Sequence, residues 1–289
     1  MSWPESLARE IAENRCIFHL GSGLSCQSTD DDGNRPLSWP GLLNELKDRT
    51  LQDPSMISLV DDFLAEKKLL DAAEIIRTKG RSDEFNRIIK NEFFDKNFNI
   101  SDSHRIIVEI SPKIIATTNY DSIIENALME KAGRNSFVSF EHTTNGLIDA
   151  VKSPSTILIK FHGCAQHPRD IILSRSDYFK LRDRFSVSFD ILTALYKINS
   201  VVFIGCGIED PDINLLLENI RLQAGESSPS YALVGSLSYA AKIKETIKTQ
   251  YNIELILYPQ DHVNDHSNFE RVLAELNEKV LEVKSKYGL

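Results

Sequence analysis

Three short runs, residues 16–20, 156–161 and 200–204, are apolar along almost their whole length and each ends at a glycine or at a polar turn. A strand with one wet face alternates apolar and polar residues, whereas a strand covered on both faces does not. Further runs of this kind fall at 113–117, 137–140, 231–234 and 253–257, with a short one at 171–173. Stretches of helical spacing separate them: 4–14 (with Ser2 as its cap), 121–131, 176–181, 185–198, 212–222, a helix between the last two strands, and a long amphipathic one at 268–286. Buried strands alternating with helices predict an α/β fold, a mostly parallel sheet with helices on both faces.

One block breaks the alternation. From Trp39 to Ile110 the apolar residues keep helical spacing, as in Leu42, Leu43 and Leu46, and again in Leu69, Leu70, Ala73 and Ile76. Ser38 precedes Trp39-Pro40, a cap followed by proline in the first turn. Gly80 ends one helix and Ser82 is placed to cap the next. About 70 residues without a strand read as a helical module inserted at about 39–110, able to wall one side of a cleft.

Ligands of open α/β sheets bind at the carboxyl ends of the strands. Gly21, Ser22, Gly23 and then Ser25 follow the first strand. Thr118, Asn119, Tyr120 and Asp121 follow the second, and His162 and Gly163 follow the run ending at Phe161. Gly205, Cys206, Gly207 and then Asp210 follow Ile204. The glycine turn after the first strand suits a nucleotide phosphate. It is neither a P-loop, since no lysine follows the glycines, nor the common dinucleotide fingerprint, since Cys26 stands where a small third residue is needed. Each residue has a plainer use too. Asn119 or Asp121 could cap the following helix, as could Asp210 or Asp212; His162 could be a core histidine; the glycines could serve turns only. Three consecutive aspartates, Asp30 to Asp32, read as a solvated loop.

Taken in order, Gly-Ser-Gly-x-Ser, Thr-Thr-Asn-Tyr-Asp, Lys-Phe-His-Gly and Phe-Ile-Gly-Cys-Gly-x-x-Asp-Pro resemble the SIR2-like domain, from about Phe18 to Ile220, and within it the branch of bacterial antiphage defence NADases. The resemblance implies one Rossmann-like domain over 1–289, with the helical module inserted and NAD bound beside it. It implies a pyrophosphate turn at Gly21, Ser22 and Gly23, with Ser25 and Thr118 beside the cofactor. Asn119 and His162 match the catalytic asparagine and histidine, and Asp121 matches an aspartate on the nicotinamide side. Gly205 matches the glycine packed near the adenosine half, and Cys206 and Gly207 beside it are expected to bind the cofactor. Deacylase sirtuins carry two Cys-x-x-Cys pairs on a zinc module, and the four cysteines here, Cys16, Cys26, Cys164 and Cys206, form none. The expected reaction is cleavage of NAD+ to nicotinamide and ADP-ribose in antiphage defence, with NAD as substrate and no metal. Cyclisation or transfer of ADP-ribose and a non-catalytic NAD- or ADP-ribose-sensing subunit are the alternatives. A homo-oligomer and a HerA-type ATPase partner are implied by analogy.

Composition narrows the setting. A net charge of −9 argues against sequence-blind nucleic-acid binding. With 42% hydrophobic and 26% charged residues the chain reads as an ordinary globular protein. It has no apolar run long enough for a transmembrane helix and no secretory pattern at its start, so a cytoplasmic location is expected.

Overall fold

The computed structural model describes residues 3–133, 136–206 and 229–289. Seven strands form one all-parallel sheet: β1 (Cys16–Leu20), β2 (Ile114–Thr117), β3 (Phe137–Glu141), β4 (Thr156–Lys160), β5 (Ser200–Ile204), β6 (Ser230–Gly235) and β7 (Ile253–Tyr258). Their order is β3-β4-β2-β1-β5-β6-β7. The chain builds outward from β1 in one direction through β2 and in the other through β5, so the strand order reverses beside β1. Such a reversal leaves a crevice at the carboxyl ends of the strands. The α/β prediction holds.

Strict alternation along each strand feeds two apolar layers. Phe18, Ile115, Leu158 and Val202 enter the layer formed with helices Glu5–Ala12, Asp102–Ile110 and Phe269–Tyr287. Their neighbours Ile17, Ala116, Ile157 and Val201 enter the opposite layer, under helices Ser186–Ile198 and Lys244–Tyr251. Full burial of both faces explains why these strands carry almost no polar residues.

The helical block comprises Trp39–Thr50, Pro54–Ala65, Leu69–Lys79 and Ser82–Lys90, closed by a π-helical turn at Asn91–Asp95. These elements own a third apolar cluster, with Leu42, Leu43, Leu46, Ile76, Phe85 and Ile88 at its centre. Helix Asp102–Ile110, predicted as the end of the block, sends Ile107, Val108 and Ile110 into the first sheet layer instead. Ser38 caps its helix through Gly41, as expected, whereas Ser82 is itself the first helical residue, after Arg81. Residues 171–173 form no strand. Ile171 and Leu173 are apolar because they pack beneath the helical block, not because they join the sheet. Helix Leu147–Lys152, absent from the sequence reading, fills the gap between β3 and β4. The predicted helix at 212–222, with Gly207 and Asp210 before it, lies outside the described residues.

Candidate active site

Strand register brings the predicted residues together. Lys160 pairs with Thr117, Thr117 with Leu20, and Leu20 with Ile204, so the ends of β4, β2, β1 and β5 form one row. The four polar or glycine-rich turns found in the sequence leave from four adjacent strands.

The turns after β1 and β5 interlock. The Gly21 N–H donates to the Ile204 carbonyl (3.0 Å) and the Gly23 N–H to the Gly205 carbonyl (2.9 Å). A Cβ on Gly23 would stand 2.8 Å from the Gly205 oxygen, and one on Gly205 would stand 2.3 Å from the Leu24 nitrogen. Gly205 also holds φ +69°, a left-handed conformation that suits glycine. The glycines therefore serve backbone-to-backbone packing. Ser22, at the head of the short helix Ser22–Ser25, is the residue of this turn that borders both chambers described below.

A hydrogen-bonded relay crosses from β1 to β2. Asn119 Nδ2 donates to the Gly21 carbonyl (3.0 Å) and to Ser25 Oγ (2.8 Å). Ser25 donates onward to Asp121 Oδ2 at 2.7 Å. The other Asp121 oxygen accepts the Ile123 N–H (3.1 Å) at the first turn of helix Ile123–Ala132. Asp121 thus supports the start of the following helix with one oxygen, as the sequence allowed, and holds Ser25 with the other. Both amide hydrogens of Asn119 are committed, while its Oδ1 is buried without a partner. A buried acceptor left unpaired costs roughly 1–3 kcal/mol, which a ligand donor would recover.

Lys160, only 1% exposed, supports this relay from below. Its Nζ donates to Glu125 Oε1 (2.6 Å) and to the Asp121 carbonyl, fixing the backbone that carries the aspartate.

Two chambers flank Ser22. The first, open to solvent on one side, is lined by Ser22, Ser25, Thr118, Asn119, Asp121 and His162, with Leu37 and, from the helical block, Trp39, Leu42 and Phe93. Trp39 carries a second buried orphan, its indole Nε1. The second chamber opens beyond β5 and is lined by Ser22, Gly23, Gly205, Cys206, Leu233 and Gly235, with Arg35 and Ser238 among its polar groups. The Arg35 guanidinium is held by the Cys26 carbonyl at 2.7 Å. Gly21 lines neither chamber and acts through its carbonyl.

His162 is 4% exposed. Burial, with smaller effects from His19 and His142, pushes its pKa down to about 3. The ring is therefore neutral at physiological pH. Nε2 is hydrogen-bonded to the Tyr178 hydroxyl at 3.0 Å. Sequence reasoning missed Tyr178, Lys160, Trp39 and Arg35. None sits directly after a strand in a glycine-rich or acidic turn, and Lys160, although within the Lys-Phe-His-Gly run, reads there as the last residue of a strand. Among the described residues, no group of three or more His, Cys, Asp or Glu side chains is arranged to hold a metal ion. No helix among them is long and apolar enough to cross a membrane.

Comparison with known proteins follows the same lines. The family model of the SIR2-like domain matches residues 113–256. A protein named NAD(+) hydrolase ThsA from Bacillus cereus (strain MSX-D12) is 24% identical over 219 residues, 75% of this chain and 42% of that protein. One of the same name from Enterococcus faecium is 27% identical over 283 residues, 92% of this chain and 52% of its own length. Defense-associated sirtuin 2 from Bacillus subtilis is 24% identical over 220 residues, 74% of this chain and 20% of that protein. The chain spans about half the length, or less, of these curated relatives.

Proposed function

We propose, from the match of the SIR2-like domain model to residues 113–256 and the similarity to proteins named NAD(+) hydrolase ThsA, that this chain is a SIR2-like protein that hydrolyses NAD+ to nicotinamide and ADP-ribose, depleting NAD+ in antiphage defence. The observation that carries the reading is the Asn119–Ser25–Asp121 relay with its orphaned Asn119 Oδ1, set in a chamber also bordered by His162. The nicotinamide riboside half would occupy this chamber, the pyrophosphate would cross at Ser22, and the adenosine half would fill the chamber beyond β5. A dinucleotide suits two cavities joined at one residue.

The chemistry asks little of the protein in acid catalysis. As the bond between nicotinamide and ribose C1′ breaks, its electron pair goes to the pyridinium nitrogen and nicotinamide leaves neutral. The leaving group needs no proton, in contrast to an ordinary glycoside. Positive charge develops on the ribose, and the Asp121 carboxylate, oriented by Ser25, stabilises it. Asn119 Oδ1 accepts from a ribose hydroxyl or from the attacking water. Water oxygen bonds to C1′ and becomes strongly acidic as it does so. A neutral His162 therefore suffices as proton acceptor through Nδ1, the nitrogen left bare when Nε2–H donates to the Tyr178 hydroxyl, even with the low pKa that burial imposes.

The test is NAD+ consumption by the purified protein beside Asn119→Ala, with products resolved by chromatography. Nicotinamide and ADP-ribose in equal amounts from wild type, and a drop of about 10² or more in the variant, are expected. A cyclic product in place of ADP-ribose, or equal turnover by a folded Asn119→Ala, would overturn the reading.

A further inference from the structure

His162 is held by more than burial. Its ring packs edge-on against Phe161, with centroids 4.5 Å apart and planes at 76°. On another side it meets Tyr178 at 5.4 Å and 79°, where the tyrosine hydroxyl reaches Nε2 at 3.0 Å. A neutral imidazole carries hydrogen on one nitrogen and a lone pair on the other. A hydrogen bond to Nε2 therefore bears on which nitrogen stays bare and on where that nitrogen points.

Tyr178 lies on helix Arg175–Arg184, in which only Asp177 and Leu181 are buried. So little apolar burial does not settle the helix's position; its polar contacts do. Ser174 and Asp177 close a capping box at its start. Three further polar contacts reach helix Leu69–Lys79 of the helical block. Arg175 donates twice to Asp71, at 2.7 and 3.1 Å. Ser176 donates to Glu74 through N–H (2.9 Å) and Oγ (2.5 Å). Arg77 stands 3.6 Å from Asp177. These contacts tie the helix that carries Tyr178 to the helical block.

We propose that Tyr178 is the positioning residue of His162, fixing the tautomer and orientation of its ring, and that the polar clamp to helix Leu69–Lys79 transmits the position of the helical block to that ring. The proposal rests on the reading of His162 as proton acceptor in NAD+ hydrolysis. It makes the helical block more than a wall, because displacement of the block would alter the histidine without touching the strands.

The test joins kinetics to a signature that is independent of turnover. Protein labelled with 15N-histidine gives the ring-nitrogen signals of His162, assigned by their loss in His162→Gln. Wild type is expected to show one tautomer. Tyr178→Phe, which keeps the aromatic ring, is expected to move these signals toward the average of two tautomers. It is also expected to lower kcat roughly tenfold, with KM for NAD+ changed less than about threefold. Asp71→Ala, at the exposed end of the clamp, is expected to shift the signals in the same direction by a smaller amount. Wild-type ring signals in Tyr178→Phe would overturn the positioning role, and so would shifted signals with unchanged kcat. Wild-type signals in Asp71→Ala would overturn the clamp. If wild type itself fails to turn over NAD+, the function reading falls, and the ring signals still decide whether Tyr178 holds His162.

Discussion

Ser25 carries two buried hydrogen bonds with one hydroxyl, accepting from Asn119 and donating to Asp121. Ser25→Ala would leave an amide hydrogen and a carboxylate oxygen without their partner at a site where Asp121 is only 5% exposed. Each loss of this kind costs roughly 1–3 kcal/mol. The expected outcome is a combined stability loss of roughly 2–6 kcal/mol by denaturant titration, together with a lower rate of NAD+ cleavage because the Asp121 carboxylate is no longer oriented. Wild-type stability in Ser25→Ala would show that the relay is not closed in solution. Ser25 and Asp121 were both candidates in the sequence, but their separation of 96 positions hid the bond between them.

At the scale of elements, the two glycine turns act as one unit. Gly205→Ala would combine left-handed backbone at φ +69° with a Cβ only 2.3 Å from the Leu24 nitrogen, so the turns after β1 and β5 would have to part. Gly33 offers a matched control. It has φ +83°, yet an added Cβ meets nothing within 4 Å. Gly33→Ala should cost only the conformational term, about 1 kcal/mol. Gly205→Ala should cost more than ~2 kcal/mol and weaken NAD+ binding. Thermal denaturation and ligand titration of the two variants check this, and equal stabilities would refute the interlock. The helical block obeys similar logic. Its first four helices form their own core, while helix Asp102–Ile110 has the same periodicity but faces the sheet. Periodicity gives a helix its apolar stripe and does not say which core the stripe meets.

At the scale of the whole molecule, four of the described histidines, His19, His104, His142 and His162, are buried around the sheet, and burial pushes the pKa of each down. Burial pushes His19 and His162 down to about 3 and His104 down to about 4, from an ordinary 6.5. Above pH 6.5 neither the folded nor the unfolded chain protonates them. Below it the unfolded chain binds protons that the folded chain refuses, so stability falls as pH drops from 6.5 toward 4. The slope is at most about 1.4 kcal/mol per pH unit for each histidine. A thermal midpoint that declines on acidification from pH 7 to pH 5 is expected, with a shallower decline in His19→Phe even though its absolute stability is lower for want of the bond to Tyr196. A midpoint independent of pH over this interval would contradict the neutral burial of these rings.

The sequence by itself determined the strands, most of the helices and the four strand-end turns that hold the candidate residues. These features are local: continuous apolar runs, helical spacing, and glycine or polar residues where a strand must stop. Strand register then placed Lys160, Thr117, Leu20 and Ile204 in one row, which is why the residues following them converge. Only the tertiary structure decided which side chains meet. The Tyr178–His162 bond, the Lys160 support beneath Asp121, the commitment of both Asn119 amide hydrogens and the place of residues 171–173 all join elements far apart in the chain or separated by a turn. Such contacts follow from how layers pack against one another. Spacing along the chain fixes which face a residue takes, and packing alone fixes what that face touches.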